Sequence, residues 1–391
     1  MEADSDGGLC PVSWGKTASP RGFVWGMIRR VNEVGHRREH GRYALRDTEN
    51  DHVWGMCATV DGLFGEPWRG TYELFGWTPE RAEPRGWIGS RVWLVPENEE
   101  LGPWLLEDAL SQGRPAGTDS VVLTGSDDYE GPPEGYAGPV RVHDERRWLG
   151  ACREFVRILP PDRAPRSLVL RGLAQSERLR AALAKGTRRA LDLEQAALEI
   201  HDDLGEPLTE QLLWTSVRAW RPSAHGPDLI DLELDGEFFT PVPEHARSVW
   251  ERRLAGPPDT PGAWAGLDTR CRGTWLDLVR DRAGRRTPGD RPAGHAYTLD
   301  GRHVTDEPGL YLALGEAVNG PGGYFGGCLA ALDDCLRGRF GYTAPATLLW
   351  QNAGTARAHL SRTLTPDGAH HDSFADVLDV LAEGGMHVTL A

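Results

Sequence analysis

At 391 residues the chain exceeds one ordinary domain, and two or three are expected. A formal net charge of -15 argues against nucleic acid as the direct partner and suits a basic protein instead. Six cysteines without Cys-x-x-Cys spacing, no signal-peptide core and no apolar run of about 18 residues fit a reduced, cytoplasmic chain without a membrane span.

Residues 1–24, rich in Gly, Asp, Ser and Pro, are expected to be a flexible start. Residues 25–165 read as a β-rich region. A pair of strands is expected within Gly41–Ala58, then strands at Thr71–Phe75, Val92–Val95, Ser120–Leu123 and Val140–Val142, with turn residues between them as in an antiparallel sheet. Fourteen of the fifteen tryptophans precede Asp300, a density that predicts a Trp-packed core.

Residues 166–283 read as a mixed α/β region, either separate from the preceding one or continuous with it. A strand is expected at Ser167–Leu170 and a helix over Ser176–Asp202, interrupted at Gly186. A hairpin of Leu213–Trp220 with Leu229–Leu234 and helices at Pro243–Leu254 and Thr269–Arg282 follow. Residues 284–292, rich in Arg, Gly, Pro and Asp, read as a linker.

In residues 293–391 strands and helices alternate. Strands are expected at His295–Leu299, Ala346–Trp350 and Met386–Leu390. Helices are expected after Val304 with Thr305 as cap, after the Asn319–Gly323 loop, at Thr355–Leu360 and at Asp372–Glu383. That order implies a small parallel sheet covered by helices. The fold class is therefore α/β, with a β-rich mixed region ahead of a three-stranded parallel sheet.

The helix after Gly326-Gly327 says most about function. At about 100° per residue, Phe325, Leu329, Leu332 and Leu336 share one side. Gly327, Ala330, Ala331, Asp334 and Gly338 share the other, so one carboxylate stands among residues with almost no side chain. Periodicity leaves two readings open. The face admits close approach of another surface, or Asp334 pairs locally with Arg337. On the Asp372–Glu383 helix, Phe374, Val377, Leu378 and Leu381 take one face, and Asp372, Asp376, Asp379 and Glu383 the other. From Ala296 to Ala391 eleven acids face five arginines, a net of -6 that a positive partner would relieve.

Catalytic signatures are weak. His36 and His40 lie in His-Arg-Arg-Glu-His, which is not the zinc order His-Glu-x-x-His, and no metal or other cofactor is expected. His370-His371 reads as a solvated loop. The glycine run 320–327 lacks the lysine of a phosphate loop. An enzyme is not expected.

The run Tyr324, Phe325, Gly326, Leu329, Ala331, Leu332, Asp334, Cys335, Leu336 resembles the barstar family, intracellular inhibitors of secreted barnase-type ribonucleases. The likeness spans Ala296 to Ala391. It implies three parallel strands with packed helices. It also implies that Tyr324 covers the nuclease site, that Asp334 enters among the nuclease's catalytic basic residues, and that Asp379 adds a second acid contact. Gly326 and Gly327 would shield the site, and Ala330 and Asp333 would lie in the interface. The chain departs from the family at Ala330, where an acid is usual, at Cys328 for Asn, at Asp333 for Trp and at Arg339 for an aromatic. The expected function is inhibition of a barnase-type ribonuclease by an acidic helix. The alternative is a barstar-like docking module for another basic protein, fused to an N-terminal region with chemistry of its own.

Overall fold

The computed structural model describes residues 41–65, 69–80, 84–98, 100–126, 132–133, 135–158, 167–240, 242–285 and 289–391. The expected flexible start, His36 and His40, and residues 286–288 of the expected linker lie outside the described residues.

The chain opens with β1 (Tyr43–Asp47), β2 (Val53–Cys57) and β3 (Thr59–Asp61). It then builds β4 (Gly70–Phe75), β5 (Thr78–Pro79), β6 (Gly86–Pro96), β7 (Trp104–Gly113), β8 (Val121–Ser126), β9 (Val140–His143), β10 (Trp148–Cys152) and β11 (Glu154–Ile158). Next come β12 (Leu168–Gln175), α1 (Glu177–Lys185), α2 (Arg188–Leu191), β13 (Asp192–His201), β14 (Pro207–Pro222) and β15 (Ile230–Phe238).

These strands form two sheets. The first has seven strands in the order β15-β14-β13-β1-β2-β12-β3, and a further β12–β15 pairing closes it into a barrel. The second has eight, in the order β11-β4-β8-β7-β6-β9-β10-β5. Because β10 runs straight into β11 and β4 into β5, the pairings Phe75↔Glu154 and Thr78↔Ala151 close this sheet too. Closure leaves few free edges, which protects exposed strands from pairing with other chains. Period-two pairs such as Tyr72 and Leu74, Val92 and Leu94, and Val140 and Val142 fill the second barrel. Tyr72 stacks on Phe155 at 5.0 Å there.

The second barrel is inserted between β3 and β12 of the first. One barrel therefore spans both sides of residues 165 and 166, whose separation or continuity the sequence left open, since β12 pairs with β2 and β3. The expected helix over Ser176–Asp202 is corrected. It stops at Gly186, which takes φ +60° and donates to Ala182 O at 3.1 Å. Residues 192–201 become β13, held between β1 and β14 and buried along most of their length. The Leu-Glu-Gln-Ala-Ala-Leu-Glu run favours helix locally, but two neighbouring strands outweigh that weak preference.

Two helices lead out of the barrels: α3 (Arg247–Leu254) and α4 (Thr269–Ala283). The last module follows as β16 (Ala296–Asp300), α5 (Glu307–Asn319), α6 (Leu329–Leu336), β17 (Ala346–Gln351), α7 (Ala353–Leu360), β18 (Thr363–Leu364), β19 (His370–His371), α8 (Ser373–Glu383) and β20 (Met386–Leu390). Its sheet is parallel, in the order β16-β17-β20, as the sequence implied. The cap of α5 is Asp306 rather than Thr305: its carboxylate accepts from Gly309 N at 2.8 Å.

Helix α4 joins the three bodies, with one arginine for each. Arg270 donates twice to Asp108 of the inserted barrel, at 2.7 and 2.8 Å. Burial opposes ionisation of Asp108, but Arg270 and Arg69 outweigh it and hold the carboxyl below the usual range. Arg272 donates to Asp306 of the last module at 2.9 Å, and both side chains are buried. Arg282 donates to buried Asp202 of the first barrel at 2.9 Å. A second junction ties the inserted barrel to the β18–β19 hairpin. Buried His143 places Nε2 3.1 Å from Pro366 O, and Leu364 N donates to Glu145 O at 2.6 Å. One continuous apolar core runs from the first barrel through α3 and α4 into the last module.

Candidate partner-binding surface

The start of α6 is fixed by Gly326. It sits at φ +94°, and a side chain there would begin 3.0 Å from Leu332 Cα, so only glycine lets the helix fold back over its own approach. Leu332, Cys335 and Leu336 then turn inward. Leu336 packs on Gly384 at the end of α8. Burial pushes the Cys335 thiol up to about 12, which leaves it an inert core group.

The outward side carries the expected contacts. Ala330 is exposed, and Asp334 is 72% exposed. Arg337 ion-pairs with Asp333, and its nearer approach to Asp334 is 3.7 Å. The local partner of Arg337 is thus mainly Asp333, which leaves Asp334 the freer carboxylate. Neighbouring α8 exposes Asp379 and Glu383. Two other acids of the expected stripe are engaged. Asp372 caps α8 by accepting from Ala375 N at 3.0 Å, and Asp376 meets His371 at 2.7 Å. The stripe therefore does have a basic neighbour, and His371 is not simply solvated.

Tyr324 and Gly327 are placed differently. Tyr324 is half-buried, its ring 6.3 Å from Phe340 and its carbonyl accepting from Asn319 Nδ2 at 2.8 Å. Burial pushes its phenol far above the ordinary value, against the nearby charge of Arg280. Leu276 Cδ2 lies 4.0 Å from where a Gly327 side chain would begin. So Ala330 and Asp334 of α6 and Asp379 of α8 are exposed and Asp333 is partly so, whereas Tyr324, Gly326 and Gly327 lie against other residues of the chain. Sequence reasoning missed Leu276 and Arg280 at this edge. The i, i+4 spacing of an apolar and a basic residue on α4 was visible, but nothing in it pointed to a loop more than forty residues on.

A buried titratable cluster lies in the N-terminal region. Glu199 meets His201 at 2.7 Å and Arg285 at 3.4 Å, and Arg46 completes the set. Burial raises the pKa of Glu199, but His201 and the arginines overcome this and lower it strongly. With Glu199 and His201 both almost fully enclosed, the cluster has no room for a substrate and reads as an anchor for the end of α4. Among the described residues no group of three or more His, Cys, Asp or Glu is arranged to hold a metal, and no helix is long and apolar enough to cross a membrane.

A parallel three-stranded sheet packed with helices, two of which expose carboxylates, makes up a small α/β module. Residues 294–385 match the family model described as Barstar (barnase inhibitor). No curated protein and no solved structure matches the chain.

Proposed function

We propose that the chain inhibits a basic, barnase-type ribonuclease by occlusion, through the open face of α6 and α8. Asp334 takes the place of an RNA phosphate among the nuclease's basic groups. Ala330 permits close approach, Asp379 adds a flanking charge, and Asp333 lies at the rim, held by Arg337. The interface would bury on the order of 1,600 Å². The chain works in the cytoplasm and catalyses nothing itself. The observation that carries this reading is the placement of Asp334: exposed, only loosely paired, ringed by small residues, and beside a second acid-bearing helix in the segment that matches the Barstar family. The test is RNA cleavage by a barnase-type nuclease with increasing full-length chain. Inhibition at micromolar concentration or below is expected, and none at all would exclude the reading.

A second reading rests on a different observation. Tyr324, which the family resemblance assigns to the nuclease site, is half-covered by the chain itself. That favours a docking module whose basic partner is shaped unlike a barnase-type nuclease. Capture of a basic protein without nuclease activity, sensitive to Asp334→Ala, would select this reading.

A further inference from the structure

We propose that Leu276 and Arg280 of α4 act as specificity residues: they roof the Tyr324–Gly327 edge and restrict the chain to basic partners that engage α6 and α8 without reaching over that loop. The inference deepens the proposed function and rests on it.

The roof meets both ends of the loop. At its start, Pro258 Cδ lies 2.7 Å and Arg253 Nη1 3.3 Å from where a side chain on Gly322 would begin. At its end stand Leu276, itself buried, and Arg280, whose charge acts on Tyr324. Segment 253–280 thus meets the glycine loop at residues 322 and 327, and at Gly322 a larger side chain would push Pro258 and Arg253 away.

The roof is also fixed. Its arginines tie α4 to the inserted barrel, the first barrel and the cap of α5. Opening the edge would break two buried ion pairs and a part-buried one, so a partner cannot lift α4 cheaply. The exposed part of Arg280 adds selection by charge. It is 57% exposed and shared with Asp277 at 3.1 Å, yet it presents a cation where the family's partners are themselves basic. One module therefore carries an open acidic face on α6 and α8, and a closed edge beside it whose rim holds Arg280 between Asp277 at 3.1 Å and Asp281 at 3.6 Å. The partner that fits has a basic patch opposite Asp334 and Asp379 and a recess opposite Arg280.

The test compares the full-length chain with Arg280→Ala and with Leu276→Ala/Arg280→Ala. Calorimetry measures binding of a barnase-type nuclease. Nitration of Tyr324 by tetranitromethane, located by peptide mass, reports on the roof without any partner. Arg280→Ala changes an exposed side chain and leaves folding intact, which guards against a false negative from the double variant. Nitration of Tyr324 should be at least tenfold faster in the double variant, and nuclease affinity at least tenfold higher in both. Equal nitration in all three would show that the edge is already open and would overturn the roof. Faster nitration with unchanged affinity would overturn its role in recognition. If no form binds the nuclease, the proposed function fails and the recognition claim with it, while nitration still decides the roof.

Discussion

Helices α5 and α6 are neighbours in one small module, yet they meet opposite surroundings. In α5, Gly309, Leu310, Tyr311, Leu312, Ala313, Leu314, Gly315 and Val318 are all buried. In α6 only Leu332, Cys335 and Leu336 are, and Asp334 stands in solvent. A helix apolar on every side must be covered on every side. For α5 the sheet covers one side, and the segment around Trp264 and Arg272 covers the other, where Gly309 and Glu316 meet it. The N-terminal region is thus part of the module's packing, while the α6–α8 side stays open to solvent.

The sharpest way to break this comparison is to remove the cover. The alternation of strands and helices suggests that residues 293–391 could stand alone. Excised, that segment would expose the outer side of α5 and lose the Arg272 partner of Asp306. It should lack a cooperative melt and aggregate, whereas the full chain melts as one unit through its shared core. A soluble, sharply melting fragment would show that the α4 contact is dispensable.

A smaller effect is expected from Asp306→Ala in the full chain. The change unpairs buried Arg272 and removes the cap on Gly309 N and the partner of the Thr269 hydroxyl. Breaking one side of a buried pair typically costs about 3–5 kcal/mol, and denaturant unfolding should show that loss. A loss under about 1 kcal/mol, the scale of an exposed pair, would mean that α4 does not hold α5 through this contact.

A milder, reversible effect concerns the second junction. Burial lowers the pKa of His143, against the raising influence of Glu145, Asp144 and Asp367. The unfolded state, titrating near 6.5, then binds the proton more readily than the folded one. Stability should be flat above about pH 6.5 and fall as pH drops below it, towards the folded value. In His143→Gln, which can still donate to Pro366 O, that part of the acid dependence should disappear. Identical melting-versus-pH curves for the two proteins would count against a neutral, buried His143.

Much of the last module was legible in sequence because its determinants are local. The division of α6 into an inner side with Leu332 and Leu336 and an outer side with Asp334 follows from residue spacing alone, and the parallel order follows from strands alternating with helices. The rest depended on contacts distant in sequence. Residues 192–201 carry helix-favouring side chains and became a strand because β1 and β14 flank them. Arg270, Arg272 and Arg282 look like ordinary polar residues of a short helix. Their partners Asp108, Asp306 and Asp202 are scattered along the chain, and no spacing rule connects them. The apolar circumference of α5 was present in Leu-Tyr-Leu-Ala-Leu, and it signalled a second covering layer without naming α4. Of the candidate site, Asp334, Ala330 and Asp379 are exposed, as a helix face sets it, whereas Tyr324 is half-buried and meets residues from another part of the chain.

If recognition passes through Asp334 on the open face, calorimetry on two neighbouring acids separates it from bulk charge. Full-length chain, Asp334→Ala and Asp333→Ala are titrated against the cognate basic nuclease, with thermal melts of each. Asp334→Ala should weaken binding by roughly 3–5 kcal/mol, because the partner's enclosed basic groups lose their counter-charge; the barnase–barstar pair itself sets that magnitude. Asp333→Ala removes an exposed pair with Arg337 and should cost within about 1 kcal/mol. Neither melt should shift much. Equal losses for the two variants would mean that only bulk charge matters. A large melt shift for Asp334→Ala would mean that the carboxylate serves the fold, and either result would contradict the account.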